Sequence, residues 1–252
     1  MKVVILAGGF GTRLNNSIES MPKPMAMIGS RPIIWHLMKI FEKYNLKDFY
    51  VALGHKKEAI VDYFLNFKNF SSNLKVNLKN SEITYFDNHV PDWNINLFDT
   101  GKDSMTGGRI LRLKDHLTET FIVTYGDGLA NIDINDLIKF HKSHGKMITV
   151  TAVRPAARFG ELNIDGEVVK SFSEKPQISD GWINGGFFIV EPEFLNYISD
   201  DSTILEKFPL EKAAKDGELM AYKFNGFWQC VDTKRDLDYL NDLYDSNSPP
   251  WE

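Results

Sequence analysis

The apolar positions of this chain fall into short solid runs separated by amphipathic stretches. Val3-Val4-Ile5-Leu6-Ala7 is apolar throughout, as expected of a central strand buried on both faces. Between Pro32 and Tyr44, Ile33, Ile34, Leu37, Met38, Ile40 and Phe41 recur at helical spacing. Pro32 suits the first turn of that helix, where a missing N–H costs nothing, and Trp35 and Phe41 fall on its core face. Phe49 to Gly54 reads as a second strand and Glu58 to Phe67 as a second helix. This β-α-β-α order argues for an α/β sandwich on a parallel sheet.

The pattern changes between Asn69 and Phe98. The segment is rich in Asn, with β-formers at Leu74 to Leu78, Ile83 to Phe86 and Ile95 to Phe98, which predicts an excursion of short strands. The alternation then resumes with a helix over Thr106 to Leu117, a strand over Thr120 to Tyr125, a helix over Ile134 to His144 and a strand over Met147 to Val153. Beyond Pro155 the pattern is β-rich (Gly160 to Ile164, Val168 to Phe172, Ile183 to Val190). Helices follow over Leu205 to Asp216 and Thr233 to Tyr244, then an extended tail at Pro249-Pro250. No repeat and no linker is visible. Residues 1–252 therefore read as one domain, with a β-rich excursion at 69–98 and a β-rich part at 155–190.

Composition narrows the function classes. The 252 residues include 34 acidic and 29 basic side chains, a net charge of −5, with 25% charged and 43% hydrophobic residues. These are ordinary globular values and exclude disorder, collagen or coiled coil as the main state. The acidic balance argues against binding nucleic acid polymers or anionic membranes, which need a positive field. The first apolar run ends at Gly8-Gly9, too short for a secretory signal, and no run reaches the length of a membrane span. The single Cys230 excludes an intrachain disulfide framework and a multi-cysteine zinc site. A soluble cytoplasmic protein is the expectation.

Five segments can carry chemistry. Leu6-Ala7-Gly8-Gly9-Phe10-Gly11-Thr12-Arg13 is a glycine-rich turn directly after a strand, where backbone N–H groups can approach a phosphate and Arg13 adds a cationic fork. It lacks the Gly-Lys-Ser/Thr of a Walker loop and the third glycine of a dinucleotide fingerprint. Pro22-Lys23-Pro24 holds a lysine on stiff, extended chain. Tyr125-Gly126-Asp127-Gly128 puts a carboxylate at the C-terminal end of a strand, the edge where open α/β sheets bind ligands. Asp232 in Phe227-Trp228-Gln229-Cys230-Val231-Asp232-Thr233 either caps the next helix or joins Asp127 as a second Mg²⁺ ligand. In Ser173-Glu174-Lys175-Pro176 and Ile183-Asn184-Gly185-Gly186, Lys175 suits a phosphate, and Glu174 and Asn184 suit sugar hydroxyls. The competing reading of that last pair is a hairpin with solvated charges. His141 and His144 read as a solvated helix end, Cys230 as a small packing residue, and Met21, Met25 and Met27 as core filler.

Together, LAGGFGTRL (residues 6–14), MPKPM (21–25), Arg31 to Lys39, YGDG (125–128), SEKP (173–176), INGGFF (183–188) and FWQCVDT (227–233) resemble the sugar-1-phosphate nucleotidylyltransferases across nearly the whole chain. Trp93-Asn94 and Asp99 to Arg109 are similar to the members that use CTP. The resemblance implies a single Rossmann-like α/β sandwich with a mixed, mostly parallel central sheet and a small β-rich excursion. It implies transfer of a cytidylyl group from CTP to α-D-glucose 1-phosphate, Mg²⁺ as cofactor, a homo-oligomer, and a place in dideoxyhexose and surface-polysaccharide (O-antigen) synthesis. Carried over by position, it implies Arg13, Lys23 and Asp127 as catalytic and Asp127 and Asp232 as metal ligands. It assigns the nucleotide to Leu6, Ala7, Gly8, Gly9, Phe10, Gly11, Thr12, Arg13, Lys23, Ser104, Arg109 and Gly126, and the sugar phosphate to Glu174, Lys175, Asn184 and Gly185. Arg109, which has only donors, is expected to face the O2/N3 acceptors of cytosine. One departure is that Asn15 to Met21 is poor in the acidic residues of the family pattern. The alternatives are a relative using dTTP or UTP, or a non-catalytic sugar-nucleotide-binding regulator. A glycosyltransferase is disfavoured, since Gly126-Asp127-Gly128-Leu129 lacks an Asp-x-Asp motif.

Overall fold

The computed structural model describes residues 1–9, 21–86, 90–154, 161–165, 167–173 and 181–252. In chain order, β1 (Val3–Ala7) is followed by a 3₁₀ turn at Lys23–Met25, β2 (Met27–Ile28), β3 (Arg31–Pro32) and α1 (Ile33–Glu42). Next come β4 (Asp48–Leu53), α2 (Lys57–Leu65), α3 (Phe67–Ser71), β5 (Leu74–Asn77), β6 (Glu82–Tyr85), β7 (Asn94–Asp99) and α4 (Thr106–Leu111). The middle of the chain supplies β8 (Phe121–Tyr125), β9 (Gly128–Ala130), α5 (Ile134–His144), β10 (Ile148–Val153), β11 (Glu161–Asp165), β12 (Val168–Ser173) and β13 (Ile183–Val190). The end supplies α6 (Phe208–Lys215), β14 (Leu219–Phe224), β15 (Trp228–Cys230) and α7 (Lys234–Asp245).

Seven strands form the central sheet in the order β14-β10-β13-β8-β1-β4-β7. β1 pairs in parallel with both β4 and β8, β4 with β7, and β10 with β14, while β13 runs antiparallel to β8 and β10. The sheet is thus mixed and mostly parallel, as expected. Alternating side chains of β1 feed two cores. Val3, Ile5 and Ala7 join α1 and α7 on one face, and Val4 and Leu6 join Ile110, Leu113 and Phe194 on the other. Burial on both faces is why β1 reads as an uninterrupted apolar run.

Several expectations change. Ile95 to Phe98 belongs to β7, an edge strand of the main sheet, and not to the excursion, which reduces to α3 and the β5–β6 hairpin. An edge strand has one partner and half-exposed faces, so its alternating Asn and apolar residues do not reveal which sheet it joins. The expected helix from Thr106 stops at Leu111, and a 3₁₀ turn at Lys114–His116 brings Leu113 and Leu117 into the core. The helix expected from Leu205 begins at Phe208, because Pro209 lacks an N–H and fits the first turn. Met25 is buried, but Met21 and Met27 are exposed, and Trp35 is half-buried.

His141 and His144 are not a solvated helix end. The Lys146 N–H donates to His144 Nδ1 at 3.0 Å, so His144 Nε2–H donates to Thr149 Oγ1 at 2.8 Å. The Thr149 hydroxyl then donates to His141 Nδ1 at 2.8 Å, and His141 Nε2–H donates to Glu191 at 3.0 Å. This chain satisfies two imidazoles and a fully buried threonine between α5 and β10.

The tail, expected to be extended, turns back at Trp251 onto the fold. Trp251 is 1% exposed and packs on Phe227 and His36, and its backbone carbonyl accepts from Lys43 Nζ at 2.9 Å. Trp251 Nε1–H donates to His36 Nδ1 at 3.3 Å, while His36 Nε2–H donates to the Ile28 carbonyl at 3.1 Å. His36 is therefore held as a neutral imidazole, and burial lowers its pKa below the ordinary value of 6.5. Below that value the unfolded chain takes up a proton that the folded chain resists, so this contribution to stability is full above pH 6.5 and fades as pH falls. Denaturant titrations from pH 8 to pH 5 should show a loss of stability that is smaller in His36→Gln, and equal slopes in the two proteins would exclude His36 as a source.

Candidate active site

The C-terminal ends of β1 and β8 open a cleft of about 290 Å³ lined by Leu6, Ala7, Gly8, Gly9, Lys23, Pro24, Ser104, Met105, Thr106, Arg109, Tyr125, Gly126 and Asp127. Every described residue expected at the nucleotide is in this wall. Phe10, Gly11, Thr12, Arg13, Glu174 and Lys175 lie outside the described residues.

Three distant segments meet on one charge. Lys23 sits in the 3₁₀ turn that Pro22 and Pro24 frame. Its Nζ donates to Asp232 Oδ1 at 2.6 Å and to Asp127 Oδ2 at 3.4 Å. Burial pulls the Lys23 pKa down, but the two carboxylates outweigh it and leave it above the ordinary lysine value. Burial raises the Asp127 carboxyl above the usual carboxylate range, opposed by Lys23 and reinforced by Asp232. Asp232 is not the helix cap. Thr233 caps α7, and Asp236 completes a capping box while also accepting the Asp232 N–H at 3.1 Å. The cap aims Asp232 back at Lys23. β15 pairs with β9, and the Val231 N–H donates to the Asp127 carbonyl at 2.9 Å, which fixes the two carboxylate segments side by side.

The donor set suits Mg²⁺, which takes one or two carboxylates and completes its shell with water and phosphate oxygens. Both carboxylates already converge on one cation, the Lys23 ammonium. Among the described residues no group of three or more His, Cys, Asp or Glu is arranged to hold a metal, so the fit is to a shared site and not to a closed protein cage. Burial, then the nearby Asp127, pushes the Cys230 thiol up to about 12, so at neutral pH it stays a protonated thiol.

Arg109 is 4% exposed and donates to four backbone carbonyls. Nη1 reaches those of Leu53 at 3.0 Å and Gly101 at 2.7 Å, and the Thr100 hydroxyl at 2.9 Å, while Nη2 reaches those of Gly8 at 3.0 Å and Lys102 at 3.2 Å. The guanidinium thus ties the β1 loop to the ends of β4 and β7. A Cβ on Gly8 would stand 2.2 Å from Arg109 Cζ, so glycine is required there for the close approach. Reading cytosine directly with Arg109 calls for exchange of these carbonyl partners.

Of the residues expected at the sugar phosphate, Asn184 donates through Nδ2 to the Tyr125 hydroxyl at 3.1 Å, and the Gly185 carbonyl accepts from Trp228 Nε1 at 2.7 Å. Burial, then the charge of Glu206, holds the Tyr125 hydroxyl far above the ordinary tyrosine value, so it remains a phenol and donates to Glu206. Sequence reasoning missed Met105, Thr106 and Glu206. Glu206 falls within the helix expected from Leu205, which begins only at Phe208, and no motif marks it as a site residue.

A lysine held between two convergent carboxylates, beside Gly8 and Gly9 at the C-terminal edge of parallel strands, is an arrangement suited to a protein that handles nucleotide phosphates. The nucleotidyl transferase family model matches residues 2–246, and the chain belongs to that family. It is similar to the glucose-1-phosphate cytidylyltransferase of Salmonella typhi, 44% identical over 254 residues, covering 100% of this chain and 99% of the relative. A probable glucose-1-phosphate cytidylyltransferase of Bacillus subtilis (strain 168) is 42% identical with the same coverage. Among solved structures, HddC from Yersinia pseudotuberculosis superposes with a TM-score of 0.71 at 25% identity, covering 96% of this chain and 99% of that one. A UDP-glucose pyrophosphorylase complexed with UDP-glucose superposes with a TM-score of 0.68 at 18% identity, covering 98% of each chain, a likeness of fold alone.

Removing the Arg109 fork leaves its buried carbonyl partners unsatisfied. Arg109→Ala should lose about 2–4 kcal/mol of stability, and Arg109→Lys should recover little, because an ammonium does not span the same acceptors. Denaturant unfolding checks this, and wild-type stability in Arg109→Lys would contradict it.

Proposed function

We propose that this protein transfers a cytidylyl group from CTP to α-D-glucose 1-phosphate, giving CDP-glucose and pyrophosphate. The observation that carries the reading is Lys23, held between Asp127 and Asp232 at the floor of the cleft. The full-length likeness to the cytidylyltransferases of Salmonella typhi and Bacillus subtilis supports the choice of substrates. This reading assigns the product to dideoxyhexose and surface-polysaccharide synthesis.

In the proposed reaction an oxygen of the sugar phosphate attacks the α-phosphorus of CTP. A new P–O bond forms, the bond from the α-phosphorus to the bridging β-phosphate oxygen breaks, and pyrophosphate leaves on the opposite side. The nucleophile is already ionised, so no base has to remove a proton. Catalysis is then positioning and charge stabilisation. Lys23 meets the α-phosphate, Arg13 the departing pyrophosphate and Lys175 the incoming phosphate, with Glu174, Asn184 and Gly185 around the sugar. Leu6 to Gly9 and Ser104 line the nucleotide's path, and Gly126 lets the chain pass close to Pro24. Mg²⁺ on Asp127 and Asp232 would supply neutralising charge at the phosphate oxygens.

We further assign a homo-oligomer. The β5–β6 hairpin pairs Val76 with Ile83 and Leu74 with Tyr85 on one face, with Leu78 90% and Phe70 81% exposed nearby. A lone two-stranded hairpin is marginal in water, and a second copy of the chain would cover this face. No helix among the described residues is long and apolar enough to cross a membrane, and we place the enzyme in the cytoplasm with its CTP.

Pyrophosphate release with glucose 1-phosphate and Mg²⁺ should favour CTP over UTP and dTTP by about 100-fold in kcat/KM. Preference for UTP or dTTP would assign the chain to the related transferases, and no release with any of them would favour a binding protein. Lys23→Ala and Asp127→Ala should each lower kcat by roughly 10²–10³-fold while the fold remains intact. Near-normal turnover in Lys23→Ala would remove that residue from the mechanism. Light scattering should give a multiple of the 28.8 kDa chain mass that Ile83→Lys reduces, whereas a wild-type monomer would rule out the oligomer.

A further inference from the structure

Glu206 lies outside every motif, yet its carboxylate holds two walls of the cleft. Oε2 accepts from Thr106 Oγ1 at 2.7 Å, and Oε1 accepts from the Tyr125 hydroxyl. Thr106 opens α4 and follows Ser104 and Met105 along the nucleotide side of the cleft. Tyr125 ends β8 two residues before Asp127, and its hydroxyl accepts from Asn184 on the sugar side.

The surrounding contacts make this a built connection. The Leu205 N–H donates to Thr106 Oγ1 at 2.9 Å, so that hydroxyl has its own hydrogen free for Glu206. The Tyr125 hydroxyl receives the Asn184 donor, so its single hydrogen likewise goes to Glu206. Asn184 is oriented in turn, because its Oδ1 accepts the Gly186 N–H at 2.9 Å. The segment that carries Glu206 is docked on α4. The N–H groups of Met105 and Gly107 donate to the carbonyls of Asp201 at 2.8 Å and Thr203 at 3.0 Å, and Arg112 pairs with Asp201. A carboxylate is the side chain suited to this place, since it accepts at both oxygens and both neighbours present a donor.

We propose that Glu206 is a positioning residue that sets the spacing between the nucleotide wall and the sugar-phosphate wall. It acts through Thr106 and Tyr125 and touches neither reacting phosphate. The proposal rests on the cytidylyl-transfer reading for its kinetic consequences but not for its structural ones. Near-attack geometry is lost with displacements of about 1 Å, so loosening this connection should be felt at both substrates.

The test uses Glu206→Ala and Glu206→Gln in the full chain. Glu206 is exposed, so both variants should melt close to wild type. Amide hydrogen exchange should speed up in Glu206→Ala at Met105 to Gly108 and also at Gly126 and Gly186. In the pyrophosphate-release assay, Glu206→Ala should raise KM for CTP and for glucose 1-phosphate, each by about tenfold, and Glu206→Gln should fall between, since its amide keeps one acceptor. Faster exchange confined to 201–206, or a change in KM for one substrate alone, would overturn the proposal. A wild type inactive with CTP would defeat the cytidylyl-transfer reading instead, and the exchange pattern would still decide the role of Glu206.

Discussion

Lys23 donates to carboxylates 104 and 209 residues further along the chain. Two acidic groups drawn that close would repel each other without a cation between them, and a half-buried ammonium would be costly without them. Folding therefore has to deliver all three together. The prolines at 22 and 24 hold the lysine's segment, the turn between β8 and β9 presents Asp127, and the β15–α7 junction presents Asp232. The Thr233/Asp236 capping box has a share in this, because the carboxylate that caps α7 also accepts the Asp232 N–H. Closure of the last strand and helix onto the sheet is thus part of building the site.

The direction of one strand explains how Asn184 and Gly185 reach the same edge. β1 and β8 run in parallel and end at the cleft. β13 runs the other way, so its beginning at Ile183-Asn184-Gly185 lies beside the end of β8. A seventh parallel strand would have put these residues at the opposite edge of the sheet. The mixed sheet is what allows segments on both sides of β8 to meet at one edge of the sheet.

Much of this was legible in the residues. The apolar run of β1, the helical spacing in α1 and the strand over Ile183 to Val190 translate directly into structure, because burial on two faces or one face leaves a period in the sequence. The same holds for the wall from Leu6 to Gly9, for Lys23 and for Asp127, whose turn residues mark them. What was not legible depends on partners distant in the chain. The sheet membership of β7, the buried imidazoles of His141 and His36, the docking of Trp251 and the clasp of Glu206 have no local signature. Arg109 is the instructive case, since its position was marked but its backbone partners were not. The net charge of −5 argues against large polyanionic partners but says nothing of local charge, and the cleft places the Lys23 ammonium between two acidic groups.

The most direct measurement is a crystal structure of the protein soaked with CDP-glucose and Mg²⁺. The account predicts the product in the cleft between Gly8 and Tyr125, with its phosphates on Lys23 and a metal ion on Asp127 and Asp232. Product bound elsewhere, with Lys23 still paired to both aspartates and no metal on them, would contradict it.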